Sequence, residues 1–347
     1  MAFDHQSFLT AEPLFGRLRR LWEIGEREVI SIFRRHLSFP SNLRLPIGDD
    51  ASAVDLGSGI VGVLSTDMLV GKTDVPPGMT MWQAARKAVV MGVSDLAAKG
   101  ARPLIALCSL GLPRDLTEGD ITEVARGLDA GAREYGAHVV GGDTNESDDL
   151  VISCSFLGVC DGGGPVPRGG ARPGDILAVT GLFGETAAGL KMLLEGLEAP
   201  PAIRDRLLRA VYEPRARLRE GIALAQGKVV TSSIDSSDGL AWCLNELSAA
   251  SRVGFTLTRV PVDEAAEGFA AIHNLDAMDL ALYGGEEFEL VVTIRPALWK
   301  RATEVIREVG GSLYRIGHAT EEEHGIVLEK GGRERVIEPR GWEHFSR

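Results

Sequence analysis

The chain has 347 residues, 44% of them apolar and 25% charged, an ordinary globular composition with length enough for two domains. Its 37 lysines and arginines face 49 aspartates and glutamates, a net charge of −12. That balance excludes a surface for wrapping nucleic acid, and it means that a bound polyphosphate needs another source of positive charge.

The first twenty-six residues lack the apolar core of a secretion signal, and no run of eighteen apolar residues occurs anywhere. Cys108, Cys154, Cys160 and Cys243 show no C-x-x-C spacing and read as free buried thiols. A soluble cytoplasmic protein is expected, with no membrane partner.

Apolar residues recur at helical spacing over 17 to 37, with Gly25 as a break. Short apolar runs at 60 to 65, 104 to 112, 138 to 142 and 150 to 160 read as strands, and the patterns at 80 to 99 and 117 to 135 as helices. The proline- and glycine-rich segment 161 to 175 reads as a boundary. After it come a strand (DILAVTG), a glycine turn, a helix (ETAAGLKMLLEGL) and further strands and helices. The expectation is an α/β fold of mixed α+β type. It has two domains, 1–160, β-rich, and 161–347, a mixed sheet with flanking helices.

Val70-Gly71-Lys72-Thr73 imitates the end of a phosphate-binding loop. The first glycine of that motif falls on Thr66, and Pro76-Pro77 forbids the helix that would follow, so the match reads as a decoy.

The aspartates are more informative. Asp49-Asp50, Asp67, Asp143, and Asp235 with Asp238 each follow an apolar run that ends in small residues, so buried strands deliver acids to one end of a sheet. Asp95 lies on a helix behind Gly92 and Ala88, which leave a shallow face or a tight packing contact. In SSIDSSDG, Ser233, Asp235 and Ser237 alternate on one side of an extended chain, and Asp238 is placed to cap the next helix. Acids gathered in one pocket need hard divalent cations to neutralise them.

The strings IGDDASAV, STDMLV, KAVVMGVSDLAAKGARP, VVGGDT, PRGGARPGDILAVTGLFGETAAGL, SSIDSSDGL, YGGEEFEL and GWEHF, in this order from about 47 to 345, resemble the thiamine-monophosphate kinases. These belong to the superfamily of aminoimidazole ribonucleotide synthetase and selenophosphate synthetase. The resemblance implies direct transfer of the γ-phosphoryl group of ATP to thiamine monophosphate, assisted by several Mg²⁺ ions, in a homodimer joined through its N-terminal domains. It implies Asp50, Ser65, Thr66, Asp67, Asp95, Asp143, Asp235 and Asp238 as metal ligands. Gly142, Asp143, Arg168 and Ser237 would contact ATP, and Asp74, Glu286 and Trp342 the acceptor. Asp74 stands where the family has histidine, and Glu286-Glu287-Phe288 where it has Glu-Asp-Tyr.

Two alternatives stay open. One is another ATP-dependent enzyme of the superfamily, although no cysteine precedes Cys108, as selenophosphate synthetases require, and the chain ends His-Phe-Ser-Arg, not in the cysteine of the hydrogenase-maturation relatives. The other is a non-catalytic nucleotide or metal sensor.

Overall fold

A computed structural model describes residues 19–161 and 164–345. Residues 1–18, with the expected absence of a secretion signal and the first two positions of the first helical pattern, lie outside the described residues, as do 162–163 of the expected linker and 346–347. Of the described residues, 19–38 with 343–345 form one compact unit, and Phe39–Trp342 forms another. In the first, helix α1 (Leu21–His36) is interrupted at Gly25, whose φ of 71° and ψ of 170° are not helical. The amide of His344 donates to Glu26 within that unit.

The second unit holds two sheets. The first contains β1 (Leu43–Leu45), β2 (Ser52–Gly57), β3 (Ile60–Val70), β4 (Arg102–Leu112), β5 (His138–Glu146) and β6 (Val151–Cys160), in the order β1-β2-β3-β6-β4-β5. Only β4 and β5 pair in parallel there, joined by α4 (Glu118–Glu134). Between β3 and β4 come α2 (Gly71–Asp74) and α3 (Met81–Lys99). The second contains β7 (Ile176–Val179), β8 (Val230–Asp235), β9 (Gly254–Leu257), β10 (Leu290–Ile294), β11 (Tyr314–Thr320), β12 (Ile326–Lys330) and β13 (Arg333–Val336), in the order β13-β12-β9-β11-β7-β10-β8. Its helices are α5 (Glu185–Glu195), α6 (Pro201–Tyr212), α7 (Leu218–Gln226), α8 (Leu240–Ser251), α9 (Glu264–His273), α10 (Ala277–Tyr283) and α11 (Trp299–Glu308). Among the described residues no helix is long and apolar enough to cross a membrane.

Helix α3 is the element that both sheets share. Thr80 and Gln83 form a reciprocal capping box at its start, and Gly100, at φ 66°, ends it. Fourteen of its 19 residues are buried, because its small side chains let other elements close on it from several sides. One core continues from β3, β6 and α3 into β10 and α11 of the second half. On α7, a Cβ at Gly221 would stand 2.0 Å from the Ala97 carbonyl oxygen.

The Gly-Lys-Thr segment is a four-residue turn of helix whose amides go to protein oxygens. Gly71 N donates to Leu150 O (2.7 Å), Lys72 N to Asp149 Oδ2 (2.9 Å), and Val70 N to Asp74 Oδ2 (2.7 Å). Carboxylates stand where a phosphate would have to bind.

The turn before β10 is tied to the start of α5. Glu287 Oε1 accepts from Gly184 N (2.6 Å) and Thr186 N (3.2 Å). Burial pushes the Glu287 carboxyl up to about 8; these amide donors pull it down, and nearby Glu289 and Glu185 raise it further. A carboxyl raised in the fold contributes stability in full below its unfolded value, and loses it as pH rises through the folded one.

Two outcomes are expected. Gly221→Ala should lower stability by about 1–3 kcal/mol, read as a lower urea midpoint with unchanged slope, because backbone must yield to the new methyl. Between pH 6 and 9, the melting temperature of Glu287→Gln relative to the parent should shift upward; a difference that stays flat with pH contradicts the assigned titration.

Candidate active site

Four aspartates arrive from four elements. Asp50 lies in the turn before β2, Asp67 within β3, Asp95 on α3 and Asp235 at the end of β8. Single oxygens of Asp50, Asp95 and Asp235 all lie within 4.8 Å of one another, and Asp67 hydrogen-bonds to Asp95. Strand alternation puts Ser65 on the same side as Asp67: its Oγ is 2.9 Å from Asp95 Oδ2 and 3.0 Å from Gly92 O. Gly92 makes that approach possible, since a Cβ there would stand 2.8 Å from the Phe156 ring. The Asp95 side chain thus packs against the sheet, not outward. Ser94 Oγ donates to Asp235 Oδ2 at 2.7 Å.

The electrostatics divide the cluster. Burial, with mutual repulsion, raises Asp67 to about 6, Asp235 to about 8, and Asp95 well above the carboxylate range. Asp50 goes the other way: burial pushes it up, but Arg168 and Lys99 more than cancel this and hold it low. Arg168 reaches Asp50 Oδ1 through Nε (2.8 Å) and Nη2 (2.5 Å), and Glu246 through Nη1 (3.2 Å). Lys99 Nζ pairs with Asp49 and lies 2.7 Å from Asp50 Oδ2. Three upward-shifted carboxyls beside paired hydroxyls form an all-oxygen donor set still short of positive charge, which fits a hard divalent cation.

A second group adjoins this one. Glu286 N donates to Ser237 O (2.6 Å), Phe288 N to Ser236 O (2.9 Å) and Trp342 N to Asp238 O (3.0 Å), so the three C-terminal motifs meet through their main chains. Glu286 and Phe288 are held at φ 62° and 52°, a strained backbone for residues with side chains. Phe288 is buried in the core, so a phenol is not needed at this position; the Trp342 ring is 53% exposed. Lys87, fully buried, donates to Asp74 O (2.9 Å) and pairs with Glu286 Oε1 (2.5 Å), which links the two candidate acceptor residues. The Asp74 carboxylate itself is engaged by Val70 N. A cavity of about 430 Å³ opens beside Glu286, lined also by Thr180, Glu185, Arg206 and Arg217.

Several expected residues stand elsewhere. Strand β3 runs on to Val70, so Thr66 projects from the opposite face, where its hydroxyl meets Ser155 Oγ at 2.9 Å. Asp143 sits on edge strand β5, in register with Ser109, Ser153 and Met68. That row faces away from Asp67, whose own row is Cys154, Cys108 and Gly142. Three strand spacings, about 14 Å, separate β5 from β3. Gly142 is needed for close pairing, since a Cβ there would fall 1.7 Å from Cys108 O. The cap of α8 is Gly239 with no side-chain bond, not Asp238, and Ser237 lies in the turn beyond the end of β8. Sequence reasoning missed Lys87 and Lys99; the available signal was a lysine inside an otherwise small and apolar helical run.

The AIR synthase related protein models match this chain twice in series, the N-terminal domain over residues 48–160 and the C-terminal domain over 172–330. Thiamine-monophosphate kinase of Pyrococcus abyssi is 36% identical over 323 residues, 92% of this chain and 96% of that protein. The Nitrosopumilus maritimus protein of the same name is 33% identical over 93% of this chain and 99% of its own length. A solved structure of AaThiL complexed with AMPPCP and TMP superposes with a TM-score of 0.83 at 28% identity, over 95% of this chain and all of that one. Two domain models in sequence order and relatives matched nearly end to end place this chain in the AIR synthase related family, among its thiamine-monophosphate kinases.

Proposed function

We propose that this protein transfers the γ-phosphoryl group of ATP directly to thiamine monophosphate, giving thiamine diphosphate, without a covalent intermediate and as a cytoplasmic homodimer. The observation that carries the reading is the convergence of Asp50, Asp67, Asp95 and Asp235 from four elements into one under-neutralised cluster. The AaThiL complex, with an ATP analogue and TMP together, supports the pairing of substrates.

Phosphoryl transfer asks chiefly for positioning and charge neutralisation. Asp50, Asp67, Asp95 and Asp235, with Ser65 beside them and Asp238 in the adjoining turn, would hold Mg²⁺. When bound, the ions would supply positive charge that neutralises the phosphates. Arg168, held on Asp50 and Glu246, would meet the nucleotide, as would Ser237 in the turn after β8. On the acceptor side Glu286 offsets the thiazolium charge, Lys87 fixes its carboxylate, and the Trp342 indole offers a face to a ring or its cation. Arg206 and Arg217 give the adjoining cavity guanidinium groups as well as carboxylates, suited to a ligand that carries both signs.

The outer face of the first sheet supports self-association. Met68, Leu107 and Val140 are 56%, 53% and 57% exposed there, with Leu64 beside them. An apolar face of this kind in a water-soluble chain marks a contact surface. Asp143 and Thr66 lie on that same face, away from the Asp67 side of the sheet.

Purified protein with ATP, Mg²⁺ and thiamine monophosphate should form thiamine diphosphate, seen by chromatography; no product under metal-replete conditions would remove the assignment. Asp95→Asn and Asp235→Asn should each lower kcat about 100-fold or more. Above pH 8 their metal-free melting temperatures should equal or exceed the parent's, because each removes a repelled buried charge. Leu107→Lys should convert a dimer to monomer in sedimentation, and an unchanged dimer would place the interface elsewhere.

A further inference from the structure

Lys99 is the last residue of α3 and is fully buried, a rare state for an ammonium unless anions compensate it. Its Nζ meets Asp49 Oδ1 and Asp50 Oδ2 and also donates to Ser233 O at 3.1 Å. Both carboxylates are fixed from their other sides. Asp49 Oδ1 accepts from Asp50 N (2.9 Å) and its Oδ2 from Arg168 N (2.9 Å), while Asp50 Oδ1 takes the Arg168 guanidinium. The helix end that carries Lys99 is anchored too, since Val166 N donates to the Lys99 carbonyl at 3.1 Å. The ammonium therefore has one defined position, at the Asp49–Asp50 end of the cradle.

We propose that Lys99 is a built-in cation of the metal cradle. It occupies the Asp49–Asp50 end in place of a divalent ion, keeps Asp50 and Arg168 assembled when no metal is present, and sets how many ions the remaining acids take and how tightly. The inference rests on the reading that this cluster binds divalent cations. A fixed ammonium 2.7 Å from Asp50 Oδ2, a buried oxygen with no hydrogen-bond partner among the described residues, repels any ion that shares this carboxylate with Asp235 or Asp95. At the other end, among the described residues, no lysine or arginine pairs with Asp67 or Asp95, which meet each other and Ser65 and are left to the divalent ions. Arginine at 99 would keep the charge; methionine would keep the aliphatic stem and remove it, and glutamine would keep one donor toward Ser233 O.

The test measures metal, not turnover. Mn²⁺ binding to the metal-free protein is followed by calorimetry and by electron paramagnetic resonance, with melting temperature recorded with and without Mn²⁺. Lys99→Met and Lys99→Gln should bind one additional Mn²⁺ per chain, or the same number at least tenfold tighter, and Lys99→Arg should match the parent. Metal-free Lys99→Met should melt lower than the parent, and saturating Mn²⁺ should recover most of the difference. If Lys99→Met and Lys99→Gln fold only with Mn²⁺ present, the divalent ion is replacing the ammonium, as expected. Unchanged stoichiometry and affinity in variants that fold, or variants that stay unfolded at saturating Mn²⁺, overturn the role of Lys99. A parent protein that binds no Mn²⁺ overturns the metal reading of the cluster itself.

Discussion

Carboxylates cannot be crowded into one buried place without cations, and this constraint governs the protein. A turn, two strands and a helix converge on a region where Asp67, Asp95 and Asp235 are all driven toward protonation. Such an arrangement opposes folding, so the scaffold around it must be stiff enough to hold the acids together. Helix α3 supplies that stiffness. It is buried along most of its length, closely approached by α7, and bonded through Ser94 and Lys99 to the last strand of the second sheet. Asp67, Asp95 and Asp235 sit on strands and a helix, so packed backbone holds them in place.

The two internal lysines divide the site by function. Lys99 ties α3 to the Asp49–Asp50 turn, and Lys87, three helical turns earlier, ties the same helix to Glu286 and the Asp74 carbonyl. One rigid helix thus carries a cation toward the aspartate cluster, a cation toward Glu286, and Asp95 between them. In-line transfer between two bound phosphates depends on their mutual position to a fraction of an ångström. Mounting both sets of contacts on one helix is a direct way to secure it.

The sequence made the acids and the element order legible because both are local signals. Apolar runs ending in Gly, Ser or Thr before an aspartate are visible without any partner, and Gly25 betrayed its kink by its place in the helical pattern. Thr66 entered as a ligand implied by the resemblance of the STD motif, whereas period-two alternation along β3, which continues to Val70, turns it outward. Lys99 and Lys87 escaped notice for a different reason. A lysine in a helix reads as solvated until its partners are known, and Asp49 and Glu286 are far away in sequence. Asp238 looked like a cap, but the chain turns at Gly239, with φ 108°, before the helix begins.

The departures at Asp74 and Phe288 follow from the same packing. Phe288 contributes its ring to the core while its backbone, at positive φ, is bonded to Ser236, so the turn needs an apolar side chain more than a hydroxyl. Asp74 uses its carboxylate to close the α2 turn and its carbonyl to receive Lys87, and through Lys87 it orients Glu286. The aspartate at 74 thus serves as framework, and on the proposed reading direct recognition falls to Glu286 and to groups on the cavity wall. The orientation of Glu286, the proposed acceptor contact, therefore depends on one buried ammonium, whose position is set by the helix that also carries Asp95.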